Sequence, residues 1–539
     1  MRAVIALVLG LSAAAAGAAP VGAADSPGQV KLALAVPLVV PQGAEGLLTA
    51  EQLAQYTSPL GVLSRQLDAV INRPVAIGID PMIIVSIRAL GAAAPPSATS
   101  WLQRLSGAGN QTFALAFDDS DLTLATQAGA AVVPTPQSFD FALDQANFAP
   151  QTTATPAPAP NPNPTLPAFP TTRTLLDWPY TLSGIAWPRE DSVVSTDLKA
   201  LAASGYSNTI LSSGNVGNGQ ASSSVDIGGE RAVVADAAVS QALRAAARAV
   251  TDSDWAAQMS ALSAAIAAAG RAQGGSDPVV LGTFDRDVPF TGGRLAQTLS
   301  QLDGSGDVRS VPLSTVIAGP AAAATITDMA QDGTRVALIT RALETERAEQ
   351  QFASVAADPL AITASRRLTL LGLLANQWQS DLPGWTLAAD GFLTSSADLT
   401  SSVEVVKSSG INLLADRATL PIGVTNKLDQ PVTVYISVRA DTGLLAVESS
   451  RVKLVIEPRS QAKGQVPVQA ISNGSVGLTI SLTSASGVPV GSPTRATINV
   501  QAGWETPIVI VIGLLVVAMF AIGVVRSILR RRREAARHD

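Results

Sequence analysis

Cysteine is absent from all 539 residues, and the single histidine, His538, is the penultimate one. Without thiols there is no disulfide framework and no thiolate nucleophile, so every domain must hold by packing alone. Without histidine in the body of the chain, a Ser-His-Asp triad, a Cys-His pair and an imidazole-based zinc site are all excluded. Aromatic residues make up only 4% and charged residues 14% of the chain. Lysine is especially scarce, which leaves carboxylate chemistry as the catalysis the composition permits best. The net charge is −6, and the arginines are densest at the extreme C-terminus. That distribution argues against a nucleic-acid partner, which needs its positive charge on the folded body. No cofactor and no metal is expected.

Long apolar runs are present at both ends. Residues 508–525 are uncharged and apolar, and Arg526, Arg530, Arg531, Arg532, Arg533 and Arg537 follow. At 1.5 Å per residue such a helix just crosses a hydrocarbon core of about 30 Å. The arginines mark the side that stays inside. At the other end Arg2 precedes an apolar stretch over 3–19, and Val21-Gly22-Ala23 offers small residues for signal-peptide cleavage. The expected organisation is a signal peptide at 1–24, a first domain at 30–400, a second at 403–501, a membrane helix at 507–525 and a basic cytoplasmic tail at 526–539. The protein would then be a single-pass membrane protein with its N-terminus outside and the lipid bilayer as partner of the C-terminal helix.

Within 30–314 short apolar β-type runs alternate with helical stretches, the pattern of a parallel α/β architecture. Strands are expected at 30–40, 74–80, 111–118, 130–134, 182–188, 208–213, 278–285 and 308–314. Val75-Ala76-Ile77-Gly78-Ile79 is apolar throughout, as a strand covered on both faces should be. Eight such units predict an α/β fold built as a (β/α)8-like barrel. Two interruptions stand out: a proline-rich loop at 151–172, and a β-hairpin at 222–235 turning at Gly228-Gly229. A helix is expected at 139–147, and helices at 335–381 extend the barrel. Beyond Ser402 alternating polar and apolar residues predict an immunoglobulin-like β-sandwich, which would serve as a stalk beside the membrane.

Leu38-Val39-Val40-Pro41, Ile79-Asp80-Pro81, the stretch 113–121, Gly184-Ile185-Ala186-Trp187-Pro188 and the stretch 420–434 together carry a resemblance. On these residues the chain resembles a family of uncharacterised secreted, membrane-anchored actinobacterial proteins, often encoded beside the flippase of the peptidoglycan precursor lipid II. That family is similar to carbohydrate-active barrels in strand order and acidic strand ends. The resemblance implies a role in cell-envelope assembly without assigning a reaction. Where related chains carry Leu-Pro-Tyr-Gly-Asp, this one has Leu115-Ala116-Phe117-Asp118-Asp119, losing a tyrosine hydroxyl and a glycine.

In a barrel, functional side chains project from the C-terminal strand ends. Here those positions hold Asp80, Asp118, Asp119, Asp121, Trp187, Glu190, Asp191, Asp285, Arg286 and Asp287. Asp80, Asp118 and Asp285 are the candidate catalytic carboxylates, since glycoside cleavage needs an acid and a nucleophile or base across one mouth. Trp187 is a candidate sugar-stacking face, with Asp119, Asp121 and Arg286 as further ligand contacts. Each has a plainer reading. Asp80 before Pro81 is a helix N-cap, as are the acids at 118–121, and the Asp285-Arg286-Asp287 run reads as a solvated ion pair. The glycine-bearing loop at 214–219 lacks a phosphate-loop ending; Asn215 and Asn218 there offer amides to a polar ligand. Asp118-Asp119-Ser120-Asp121 lacks the glycine and distal glutamate of a calcium loop.

The preferred reading is a non-catalytic envelope protein that binds a cell-wall glycan or an envelope partner. The alternatives are a carboxylate-dependent glycoside hydrolase, and an accessory membrane partner of the lipid II flippase. For the last, Gly513 and Gly523 are not at the spacing of a Gly-xxx-Gly seam.

Overall fold

Strand β1 (Val30–Leu38) sorts its side chains by size: Leu32, Leu34, Val36 and Leu38 join the large core on one face, while Ala33 and Ala35 face a second, smaller core. This division sets the architecture of the first domain. The computed structural model describes residues 29–41, 46–148, 169–217, 222–274, 277–286, 292–407, 411–413, 415–500 and 505–535. The expected signal peptide, residues 151–168 of the proline-rich loop expected at 151–172, Asn218, Asp287 and the last four residues lie outside them.

β2 (Ala76–Ile79), β3 (Thr112–Ala114), β4 (Ile185–Ala186), β5 (Asn208–Ser212), β6 (Ser224–Ile227), β7 (Glu230–Ala235), β8 (Val279–Thr283), β9 (Val308–Ser310) and β10 (Ala322–Ala323) complete the sheet. Its parallel run is β3-β2-β1-β8-β7-β5-β4. β9 adds a parallel pairing to the first residues of β1, below the point where β2 begins. The two edges meet: the Leu182 N–H donates to the Thr112 carbonyl at 2.9 Å, and the Thr112 N–H donates to Thr181 Oγ1 at 2.7 Å. Phe113, Ile185, Ile210, Val233 and Leu281 join Ala33 and Ala35 in one inner cluster. The sheet therefore curls around its small-residue face. Gly78 belongs to this fit, because a Cβ there would lie 2.9 Å from the Leu115 side chain and 3.0 Å from the Phe113 ring.

Three sequence expectations change. Residues 130–134 form no strand: Ala131, Val132 and Val133 are followed by Pro134 and Pro136, which supply no ladder donors. The expected hairpin forms, with Gly228 and Gly229 at positive φ. Its second arm, however, is β7, a full member of the parallel sheet between β5 and β8. The helix expected at 139–147 is two short 3-10 turns, Asp140–Ala142 and Gln145–Asn147.

Helices Gly333–Ala353, Pro359–Leu374 and Leu382–Thr400 pack together beside the sheet. Arg366 ties all three. Its guanidinium pairs with Glu349 at 2.8 Å, donates to the Phe392 carbonyl at 3.0 Å and to Ser395 Oγ at 2.9 Å, and lies 4.2 Å from the Phe392 ring centroid. The Glu349 side chain is fully buried.

β11 (Val403–Val405), β13 (Arg417–Asn426), β17 (Ser460–Ala470) and β15 (Leu445–Val447) form one C-terminal sheet. β12 (Ile411–Leu413), β19 (Pro489–Val500), β18 (Gly474–Thr483), β14 (Val432–Ala440) and β16 (Val452–Ile456) form the other. Val424, Val434, Ile436, Val466 and Leu478 meet between them. Phe352 and Val355, from the end of helix Gly333–Ala353 and the turn after it, enter the same core. Ala356 bridges to Val432, and Gln430 exchanges two hydrogen bonds with the Asp358 backbone. The second domain is docked as well as tethered. Beyond it, Glu505–Ala535 is one helix, and its Val509–Arg533 portion, which contains an 18-residue window of mean hydropathy 2.7, is long and apolar enough to cross a membrane.

Removing one partner of a buried ion pair strands the other charge, at a cost of about 3–5 kcal/mol. Arg366→Ala should therefore lower the unfolding free energy of the first domain by that order in denaturant titrations, and the double substitution Arg366→Met, Glu349→Leu should recover most of the loss.

Candidate ligand pocket

The sequence Ile79-Asp80-Pro81 ends β2 and starts a helix in a single step. Proline fixes the first helical φ, and Asp80 Oδ1 accepts the Met82 N–H at 2.9 Å as an N-cap. The same oxygen accepts the Asp118 N–H, also at 2.9 Å. This second bond pins the chain after β3, where Asp118 and Asp119 both adopt left-handed backbone conformations, φ 59° and 41°. Aspartate tolerates that region better than most residues, yet two in succession are uncommon. Asn376 holds the turn from the other side, its Nδ2 donating to the Asp119 carbonyl at 2.7 Å.

Asp80, Asp118 and Asp119 thereby share one wall of a pocket of ≈ 430 Å³ at the C-terminal ends of β1, β2 and β3. Val39, Val40 and Pro41 adjoin them. The rest of the lining comes from the helical layer: Thr369, Gly372, Leu373, Ala375, Gln377, Trp378, Ala388, Gly391, Phe392 and Ser395. None of these can ionise. All the charge of the pocket lies on the strand side.

Burial dominates the acid chemistry. It pushes Asp80 well above the ordinary carboxylate range, with the Asp118 charge adding to the rise and the two backbone N–H groups opposing it. Burial, and then Asp119, lift Asp118 to about 7. Burial lifts Asp119 to about 6 against the pull of Arg286. The Asp80–Asp118 pair thus keeps a proton near neutral pH, as two carboxyls sharing a dry site must. Asp118 Oδ2 and Asp119 Oδ2 are buried with no hydrogen-bond partner.

The remaining candidates fall into three groups. Arg286, after β8, reaches across to the chain after β3 and β4: its Nε pairs with Asp119 at 2.7 Å, and Nη2 donates to the Trp187 carbonyl. Its guanidinium lies 4.8 Å from the Trp187 ring centroid. Trp187 is 5% exposed and packs on Phe113, so it offers no open face for a sugar. Asp285 pairs with Arg248 at 2.6 Å, and Glu190 pairs with Arg244 at 2.7 Å. Neither acid lines the pocket. Asp121 caps helix Leu122–Gln127 and accepts from Gln331 at 2.7 Å in a fully buried setting. Asn215 is also buried, its Nδ2 donating to the carbonyls of Val193 and Thr327, and Asp191 adopts φ 53°.

Sequence reasoning missed the helical wall. Trp378 and Phe392 are the pocket's aromatic residues, and they reach it from 260 or more positions beyond Asp118. No local pattern announces that meeting. Among the described residues no cluster of acidic side chains is arranged to hold a metal ion.

No curated protein matches this chain. Among solved structures, an α-amylase from Thermotoga maritima, AmyC, is 12% identical with a TM-score of 0.44, covering 69% of this chain and 93% of that one. The native α-2-macroglobulin of Escherichia coli is 18% identical with a TM-score of 0.16; the match spans 19% of this chain and only 7% of the macroglobulin. The YadV chaperone is 9% identical with a TM-score of 0.14, covering 19% of this chain and 52% of that one. Over residues 3–536 the chain matches a single sequence family, and it belongs to that family, described as of unknown function (DUF6049).

Proposed function

We propose that this is a membrane-anchored extracytoplasmic protein of the cell envelope that binds a cell-wall glycan fragment without turning it over. The carrying observation is the one-sided placement of charge. A glycosidase needs two carboxyl groups facing each other across the scissile bond, about 5–10 Å apart. Here all three pocket acids come from the strand ends, and the helical remainder of the lining has no ionisable side chain. Asp285, the other acid considered for that role, is occupied by Arg248. An aromatic face, Trp378, with Gln377 and Ser395 beside it, suits a sugar ring and its hydroxyls. In this reading the curled parallel sheet is a barrel whose mouth has been taken over by binding, and the sandwich, immunoglobulin-like in form, carries it beside the membrane. The arginine tail supports an orientation with the C-terminus inside.

A carboxylate-dependent hydrolase is the second reading. It is favoured by Asp118, an acid that holds its proton up to about pH 7 beside a second buried carboxyl, the condition a general acid requires.

Detergent-solubilised full-length protein mixed with peptidoglycan fragments separates the two. Binding should be measurable by thermophoresis, be weakened in Asp118→Asn, and leave the number of reducing ends unchanged. New reducing ends that disappear in Asp118→Asn would establish the hydrolase instead, and no binding at all would reject both.

The raised acids also fix a pH dependence. Each keeps its proton in the folded state at a pH where the unfolded chain, with ordinary carboxyl values near 4, has lost it. The folded state then binds more protons, and stability falls as pH rises through the interval from about 4 to 7. Thermal melts should accordingly show a lower unfolding temperature at pH 8 than at pH 5. Asp118→Asn should be the more stable protein at pH 8, by a few degrees, with the gap closing at pH 5.

A further inference from the structure

We infer that the ligand of this pocket presents a primary ammonium group to Asp118 and Asp80 and rests its uncharged body on the helical wall. The inference rests on the reading of the pocket as a ligand site and adds the chemistry of what enters it.

The acids are only partly satisfied by their own protein. Asp118 and Asp119 are 7% and 3% exposed, and Oδ2 of each has no donor. Among the described residues no lysine or arginine forms an ion pair with Asp80 or Asp118. Arg286, which pairs with Asp119, is also engaged by the Trp187 carbonyl. A sugar hydroxyl brings one donor and no charge, whereas an ammonium brings three donors and the charge that buried carboxylates lack. A hard divalent ion is a poorer fit, since it requires six or more oxygens, and much of the lining beyond the acids is apolar, including Val40, Leu373 and Phe392. Those same apolar side chains suit the carbon skeleton of an amine.

Calorimetric titration of the full-length protein near neutral pH tests this with three probes: a glucosamine tetrasaccharide, its N-acetylated counterpart, and hexylamine. The free-amine sugar should bind roughly ten-fold or more tightly than the acetylated one, the scale of a charge-assisted hydrogen bond. Binding should release protons, seen as heats that vary with the buffer, because Asp80 and Asp118 must ionise to receive the cation. Asp118→Asn should bring the two sugars to similar affinity. Asparagine tolerates the left-handed conformation at this position, so the variant should fold, which its melting curve checks. Equal affinity for both sugars without proton release overturns the ammonium inference and leaves glycan binding standing. Binding of hexylamine with neither sugar supports the ammonium and removes the glycan. Silence from all three probes overturns both.

Discussion

One oxygen of Asp80 accepts two backbone N–H groups, one from its own helix and one from Asp118, 38 residues away. That pair of bonds joins the ends of β2 and β3 and determines where the chain turns next. The left-handed steps at Asp118 and Asp119 follow from it, and with them the direction in which their carboxyls face. Asn376 and the Ser120–Ala375 bridge then attach the helical layer to the same turn. The pocket is the space left between two layers held at this hinge point, and its acids are dry because the layers meet there.

The capping reading and the functional reading of these aspartates are compatible, and the structure separates them residue by residue. Asp121 caps a helix and is used up in doing so: both of its oxygens have partners. Asp80 caps a helix with one oxygen and also positions its neighbour. Asp118 caps nothing, since the helix that follows begins after Asp121, and it has the strained backbone and the orphaned oxygen. Burial raises the Asp118 carboxyl and leaves its Oδ2 without a partner, a combination that gathers at functional sites.

Much of the architecture was legible from local pattern. The continuous apolar runs of β1 and β2 announced buried parallel strands, and the strict alternation in β14 announced a half-buried strand of an antiparallel sheet. The apolar run at 130–134 misled because two nearby prolines outweigh β-propensity. β7 was read as an excursion because hairpin partners are recognised from their turn, whereas its parallel neighbours, β5 and β8, leave no local mark. The acidic wall of the site was visible as strand-end aspartates. Its helical wall was not, because contacts spanning 250 residues or more depend on how layers pack. The pairing of Asp285 with Arg248, 37 residues apart, was hidden because it depends on how a helix end meets a strand end, while the local Asp285-Arg286-Asp287 run suggested a pairing within itself.

Phe352 and Val355 have a consequence for how the protein sits in its surroundings. They belong to the sandwich core, yet they follow directly from the helix that Arg366 fastens to the pocket wall. The main-chain bonds at Ala356, Asp358 and Thr433 reinforce the joint. Wall and sandwich therefore cannot slide past one another without tearing hydrogen bonds out of a β-ladder. A displacement of the sandwich is passed to the helical layer that lines the pocket. The lining of the pocket is thus coupled to the domain that lies nearest the C-terminal apolar helix in sequence.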